Sequence, residues 1–253
     1  MINKRIEDHI VVVEIANEKT NAYTLDLLRQ LSGIIKEVND NDALKGLVLT
    51  GSGRFFSSGF DLPMFLGFKD HDEVVEFFKE EEAILLDFFM CRKPVVSAIN
   101  GHAAAGGLIF AMASDYRIVK NHPKIRMGMS EIKIGLPLTI AQAEVMRFGL
   151  GSDRLFRDVM FFGDMVDVTK ARDLGIVDEI VEEDALVSRA KEIISLWIDT
   201  PGRPFIPLKY AMKKAAAQAI HKGLKEEDWQ SPLKRFFEKS VRDTLEFVHA
   251  SMQ

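Results

Sequence analysis

Short, solid apolar runs alternate along the chain with stretches whose apolar residues recur at helical spacing. Residues 10–15 form an apolar strand, and Thr24 is placed to cap a helix whose stripe is Leu28, Leu31, Ile35 and Val38. Residues 44–50 read as the next strand. A strand–helix–strand unit therefore closes before Gly51, and repeating it predicts a mainly parallel sheet with right-handed crossovers. Val95, Val96, Ala98 and Ile99 make a further buried strand, opened by Pro94 where proline is tolerated. Asn100-Gly101 signals a turn, and the small residues 103–107 let the backbone approach a ligand closely before a helix begins near Leu108. A helix starting there presents unpaired N–H groups and the positive end of its dipole, which suits an anion. The same Ala/Gly run also fits tight helix packing.

Downstream the pattern predicts a helix over 108–113, a strand over 116–119, and helices over 141–148 and 153–161 with Gly149 and Gly151 as breaks. Residues 168–178 read as a helix, a glycine C-cap at Gly175 and a short strand. An amphipathic helix over 186–197, a linker over 201–207 and helices over 208–221 and 231–250 complete the chain, so residues 1–200 form a core and 201–253 a helical region. Lys209, Lys213 and Lys214 read as a cationic stripe on a solvated helix face. Between residues 64 and 89, Phe65, Phe68, Phe77, Phe78, Phe88 and Phe89 are mixed with Glu80-Glu81-Glu82, and the glutamates read as the solvated side of an amphipathic helix.

With 253 residues, 47% of them hydrophobic, the chain can bury a full core. A net charge of −5 argues against a nucleic-acid surface. Cys91 is the single cysteine, which excludes an internal disulfide, and the six histidines show no metal-ligand spacing, so no metal is expected. Met1-Ile2-Asn3-Lys4-Arg5 runs into a strand pattern rather than a signal sequence, and no apolar run reaches membrane-spanning length. The expectation is a soluble cytoplasmic protein without a membrane partner.

A second strand-to-glycine transition changes the weight of the first. Residues 47–51 run into Arg54-Phe55-Phe56-Ser57-Ser58-Gly59-Phe60-Asp61-Leu62. The pair "GLVLTGSGRFFSSGFDL" and "KPVVSAINGHAAAGGLIFAMASDYRIV" resembles the crotonase (enoyl-CoA hydratase/isomerase) superfamily, and the likeness extends over nearly the whole chain. The resemblance implies an α/β crotonase (ClpP-like) spiral of ββα units with a C-terminal helical trimerisation region, an acyl-CoA substrate, no cofactor beyond the CoA of that substrate, and a homotrimer or hexamer. It implies an oxyanion hole for a thioester oxygen made by the backbone N–H groups of Phe60 and Gly106. It further implies that Asn21, Ala22, Ser58, Gly59, Asp61, Leu62, Gly107 and Ser130 contact substrate or CoA, that Phe60, Phe65, Met129 and Leu136 wall the acyl pocket, and that the lysine stripe could meet CoA phosphates.

Two positions separate the chemistries of that superfamily. Its hydratases carry a glutamate three residues after the oxyanion glycine, where this sequence has Ile109, which can neither hold nor deprotonate water. Their second glutamate matches Glu131, within "MSEIKIGLPL". A single glutamate with an apolar residue at the hydratase position resembles the Δ3,Δ2-enoyl-CoA isomerases, in which one base takes a proton from the α carbon and returns one to the γ carbon. The dienoyl-CoA isomerases need further acids where Ile109 and Thr139 stand. Asp115 reads as a group that caps its helix or pairs with the following strand. The expected activity is thus movement of a double bond from the 3 to the 2 position of an acyl-CoA, with Glu131 as acid and base. The alternatives are hydration, thioester hydrolysis or decarboxylation on the same scaffold, or a non-catalytic acyl-CoA-binding or RNA-binding relative.

Overall fold

The computed structural model describes residues 1–252. β1 (Ile2–Glu7) and β2 (Ile10–Ile15) form a hairpin whose two turn residues, Asp8 and His9, both have positive φ, as a tight two-residue hairpin turn requires. From β2 the main sheet continues in parallel through β3 (Gly46–Gly51), β5 (Val95–Ile99), β7 (Tyr116–Lys120) and β9 (Glu179–Val181), in the order β1-β2-β3-β5-β7-β9. A smaller parallel sheet stands beside it, made of β4 (Phe55–Ser57), β6 (His102–Ala104) and β8 (Met127–Gly128). Each short strand follows a long one, so β3–β4, β5–β6 and β7–β8 are successive turns of a spiral.

The solid apolar runs in the sequence have a direct cause: the main sheet is covered on both faces. Val11, Val13 and Ile15 face the larger core, whereas Ile10 and Val12 face a second core with Val48, Val96 and Ile118. That second face is closed by Ala190, Ile193 and Ile194 of helix α9.

Helices follow the spiral: α1 (Leu25–Asp40), α2 (Leu62–Gly67), α3 (His71–Phe89), α4 (Gly106–Ala113), α5 (Glu131–Ile134), α6 (Ile140–Leu150), α7 (Asp153–Phe162), α8 (Val168–Asp173), α9 (Leu186–Ile198), α10 (Phe205–Glu226) and α11 (Lys239–Met252). Thr24 caps α1, its hydroxyl accepting from Leu27 N. The expected 201–207 linker is shorter than its prolines indicate: α10 starts at Phe205 and holds Pro207 in its first turn, where no helical N–H is lost. The helix expected over 231–250 is instead a 3₁₀ turn, Ser231–Phe237, followed by α11.

Two expectations about charge are overturned. Lys209 and Lys213 lie in the interior, and only Lys214 of that stripe is exposed. Both lysines grip the buried Asp115 carboxylate, at 2.6 and 2.8 Å, and Lys213 also donates to the carbonyls of Phe89 and Ala113. Burial works to raise the Asp115 pKa, but the two ammonium groups outweigh it and hold the carboxyl below its ordinary value. Asp115 also accepts from Val95 N at 2.8 Å, so it ties the preceding strand β5, rather than the following one, to α10. Of the run Glu80-Glu81-Glu82 on α3, only Glu80 reaches solvent, paired with Arg29 at 2.6 Å. Glu81 and Glu82 are fully buried.

Candidate active site

Two strand-to-helix turns meet in front of the small sheet. In the first, Tyr23 N donates to Gly59 O at 2.7 Å and Asp61 N donates to Tyr23 O at 3.0 Å. This bridge straddles Phe60 and leaves its N–H without an acceptor among the described residues. Gly59 sits at φ 99°, and a Cβ there would stand 2.9 Å from Gly106 N. The first turn thus lies directly against the second, and Gly59 is glycine for both reasons.

In the second turn, β6 ends and α4 begins at Gly106, two residues earlier than the apolar pattern placed it. Gly106 is the first helical residue, so its N–H has no intrahelical partner. The residue before it, Ala105, adopts φ 51° and ψ −131°, a region that non-glycine residues seldom occupy and that costs on the order of 1–3 kcal/mol. Ala105 N is anchored to Gly128 O at 3.2 Å, which holds the strained peptide in place. Two unclaimed amides, those of Phe60 and Gly106, therefore sit on abutting turns, and such a pair can bind a developing oxyanion.

Glu131 opens the short helix α5 and is 9% exposed, with Oε2 unpartnered. Burial pushes its pKa up to about 7, and the nearby backbone N–H groups of Glu131 and Ser130 offset only part of that. It lines an inner cavity of about 60 Å³ with Ser58, Phe60, Ala105, Leu136 and Gln142. An open outer groove of about 580 Å³ is lined by Glu18, Lys19, Thr20, Ala22, Asp61 and His249, and it shares Ser58, Phe60 and Leu62 with the inner cavity. A long ligand lying in the groove can reach the carboxyl past those three residues.

The expected site residues divide accordingly. Ala22, Ser58, Phe60, Asp61, Leu62 and Glu131 line the groove or the cavity. Asp61 also caps α2, accepting from Met64 N at 2.7 Å. Asn21 does not face the groove: it is fully buried, its amide donating to Ser52 O and Phe55 O, so it braces the turn from behind. Gly59, Gly106, Gly107 and Ser130 line neither space. A Cβ on Gly107 would collide with the Ser57 carbonyl oxygen, so that glycine lets α4 press against β4. Met129 is buried away from both spaces, whereas Phe65 and Leu136 are at the cavity as expected. Ile109 is buried in the core and lines neither space, so Glu131 is the carboxylate at the cavity surface.

Sequence reasoning missed Ala105, Gln142, Phe236 and His249, and named Phe78 only as one ring of the aromatic segment over residues 64–89. Behind Gln142 lies a buried acidic layer: Gln142 Nε2 donates to Glu81 Oε2 at 3.1 Å, and Gln142 Oε1 accepts from Thr139 N at 3.2 Å. Glu82 accepts from Ala141 N at 2.9 Å and from the Thr139 hydroxyl. Burial and then the neighbouring Glu82 charge raise the Glu81 pKa well above the usual carboxyl range. Only Gln142 offered a sequence signal, as the N3 partner in a Thr-x-x-Gln capping box. Among the described residues no cluster of His, Cys, Asp or Glu could hold a metal ion, and no helix is long and apolar enough to cross a membrane.

A family model for enoyl-CoA hydratase/isomerase matches residues 5–246. The chain belongs to that family. The mitochondrial enoyl-CoA delta isomerase 1 of Rattus norvegicus is 27% identical over 225 residues, covering 88% of this chain and 76% of the relative. Enoyl-CoA delta isomerase 3 of Arabidopsis thaliana is 31% identical over 183 residues, 70% of this chain and 75% of the relative. The crystal structure of human mitochondrial delta3-delta2-enoyl-CoA isomerase superposes with a TM-score of 0.90 at 23% identity, over 99% of this chain and 97% of that one, and shares its fold. The crotonase fold expected from the two glycine turns is thus present: two sheets in a spiral, closed by C-terminal helices.

Proposed function

We propose that this member of the enoyl-CoA hydratase/isomerase family moves a double bond from the 3 to the 2 position of an acyl-CoA, with Glu131 as the single acid and base. The observation that carries the reading is one buried carboxyl, unpartnered at Oε2, on the cavity shared with Phe60 and Ala105, while the hydratase position is filled by core-buried Ile109. The N–H groups of Phe60 and Gly106 receive the thioester oxygen as it gains charge. Glu131 takes the α proton, and the electron pair spreads into a dienolate. The same carboxyl then returns a proton to the γ carbon, so the reaction consumes no water. The apolar cavity raises the basicity of Glu131, matching it to proton transfer near neutrality. Lys19, Thr20 and Ala22 along the outer groove are suited to the CoA part of the substrate.

The test is a parallel assay with 3-hexenoyl-CoA and 2-hexenoyl-CoA. Double-bond migration from the first, without water addition to the second, is the expected result; hydration at a comparable rate would overturn the assignment. Residues 201–253 are proposed to join chains into a trimer, a reading supported by exposed Leu208, Tyr210 and Met212 on α10. Light scattering that returned a monomer would remove it.

A further inference from the structure

The inner cavity is small and walled largely by aromatic rings. Phe60, Phe65, Phe78 and Phe236 all line it, and each ring touches at least two of the others at centroid distances of 5.0–6.1 Å. Phe77 packs edge-on against Phe60, Phe65 and Phe78 from outside. Gln142, which also lines the cavity, cannot swing aside without breaking its bonds to Glu81 and Thr139, and that would strand buried polar groups. At about 60 Å³ the cavity is well under half of a roughly 150 Å³ apolar cavity that binds benzene, so it can take only the last few carbons of a short acyl chain whose thioester end lies outside it, at the Phe60 and Gly106 amides.

We infer that the enzyme is built for short acyl chains of about four to six carbons, and that Phe78 on α3 and Phe236 on the C-terminal 3₁₀ turn set that limit. The inference rests on the proposed placement of the acyl group beside Glu131. A longer chain has no continuation past the aromatic wall. Entry would require separating rings that are held from two distant parts of the chain, α3 and residues 231–237.

The experiment measures binding of saturated acyl-CoAs of 4, 6, 8, 10 and 12 carbons to the whole protein, with free CoA as the reference. In an open-ended apolar tunnel each buried methylene tightens binding by about fourfold. Here affinity is expected to rise to about six carbons and then stay flat or fall. Phe236→Ala should move the break outward by two or more carbons, and Phe78→Leu provides a second, milder opening of the same wall if the first variant fails to fold. A steady fourfold gain per methylene from 6 to 12 carbons overturns the inference, and so does an unmoved break in both folded variants. Because binding of saturated thioesters needs no proton transfer, a clear break with no double-bond migration would overturn the isomerase reading and leave this one standing.

Discussion

Glu131 carries the sharpest consequences at the scale of a single residue. Its pKa in the folded chain is about 7, against an ordinary 4.5 when unfolded. Between those values the unfolded chain releases a proton that the folded chain keeps, so this group's contribution to stability is full below pH 4.5 and is lost as pH rises through 7. Glu131→Gln should therefore stabilise the protein by about 3 kcal/mol at pH 8 and by little near pH 4, as read from urea midpoints at the two pH values. The same substitution should cost about 10²–10⁴-fold in isomerisation, and an isomerase rate near that of the parent would remove Glu131 from the mechanism. In the parent, kcat/KM should climb with pH to a plateau with its midpoint near 7. A residue that weakens the fold in return for the proton transfer proposed for it fits the usual exchange of stability for activity. Glu131 was legible in the sequence only through its neighbours: alone it is one glutamate among apolar residues, and the two glycine turns upstream gave it a role. Ala105 was not legible, because nothing in an alanine announces a backbone at φ 51° and ψ −131°.

Elements show where periodicity succeeds and where it stops. β2, β3 and β5 were readable because both faces are buried, which leaves no polar alternation to confuse the run. α3 was readable as a helix, yet its solvent face was misassigned. Glu81 and Glu82 look like a charged edge in sequence, but Thr139, Ala141 and Gln142 at the start of α6 turn them into an interior polar layer. That compensation comes from a segment some sixty residues away, and no local window contains it. The close approach of α4 to β4 gives a prediction at this scale. Gly107→Ala drives a methyl group into the Ser57 carbonyl and should destabilise the protein by about 1–3 kcal/mol in denaturant unfolding. An unchanged midpoint would mean that the two elements are not pressed together as described.

At the scale of the whole molecule, the last fifty residues are stitched to the centre by charge as well as by packing. Asp115, Lys209 and Lys213 join the end of α4, the start of β5 and the first half of α10 in a buried cluster. Removing the carboxylate leaves two buried ammonium groups uncompensated, so Asp115→Ala should lose about 3–5 kcal/mol, far more than any exposed pair on the surface. Equal midpoints for Asp115→Ala and the parent would contradict this. The sequence placed three lysines on one helix face but carried no sign that an aspartate nearly a hundred positions earlier would draw two of them inside. The spiral itself was legible, since its repeating unit is written into the alternation of strand and helix patterns.

Phe236 lines the inner cavity and His249 the outer groove, so the chamber receives its final walls from a segment made more than a hundred residues after Glu131. A nascent chain holding everything through Glu131 would already possess the paired amides and the carboxyl, yet it would have no vessel in which to enclose an acyl group. An acyl group can therefore be enclosed only once the segment carrying Phe236 and His249 has docked, and a ligand that fills the chamber rewards that docking.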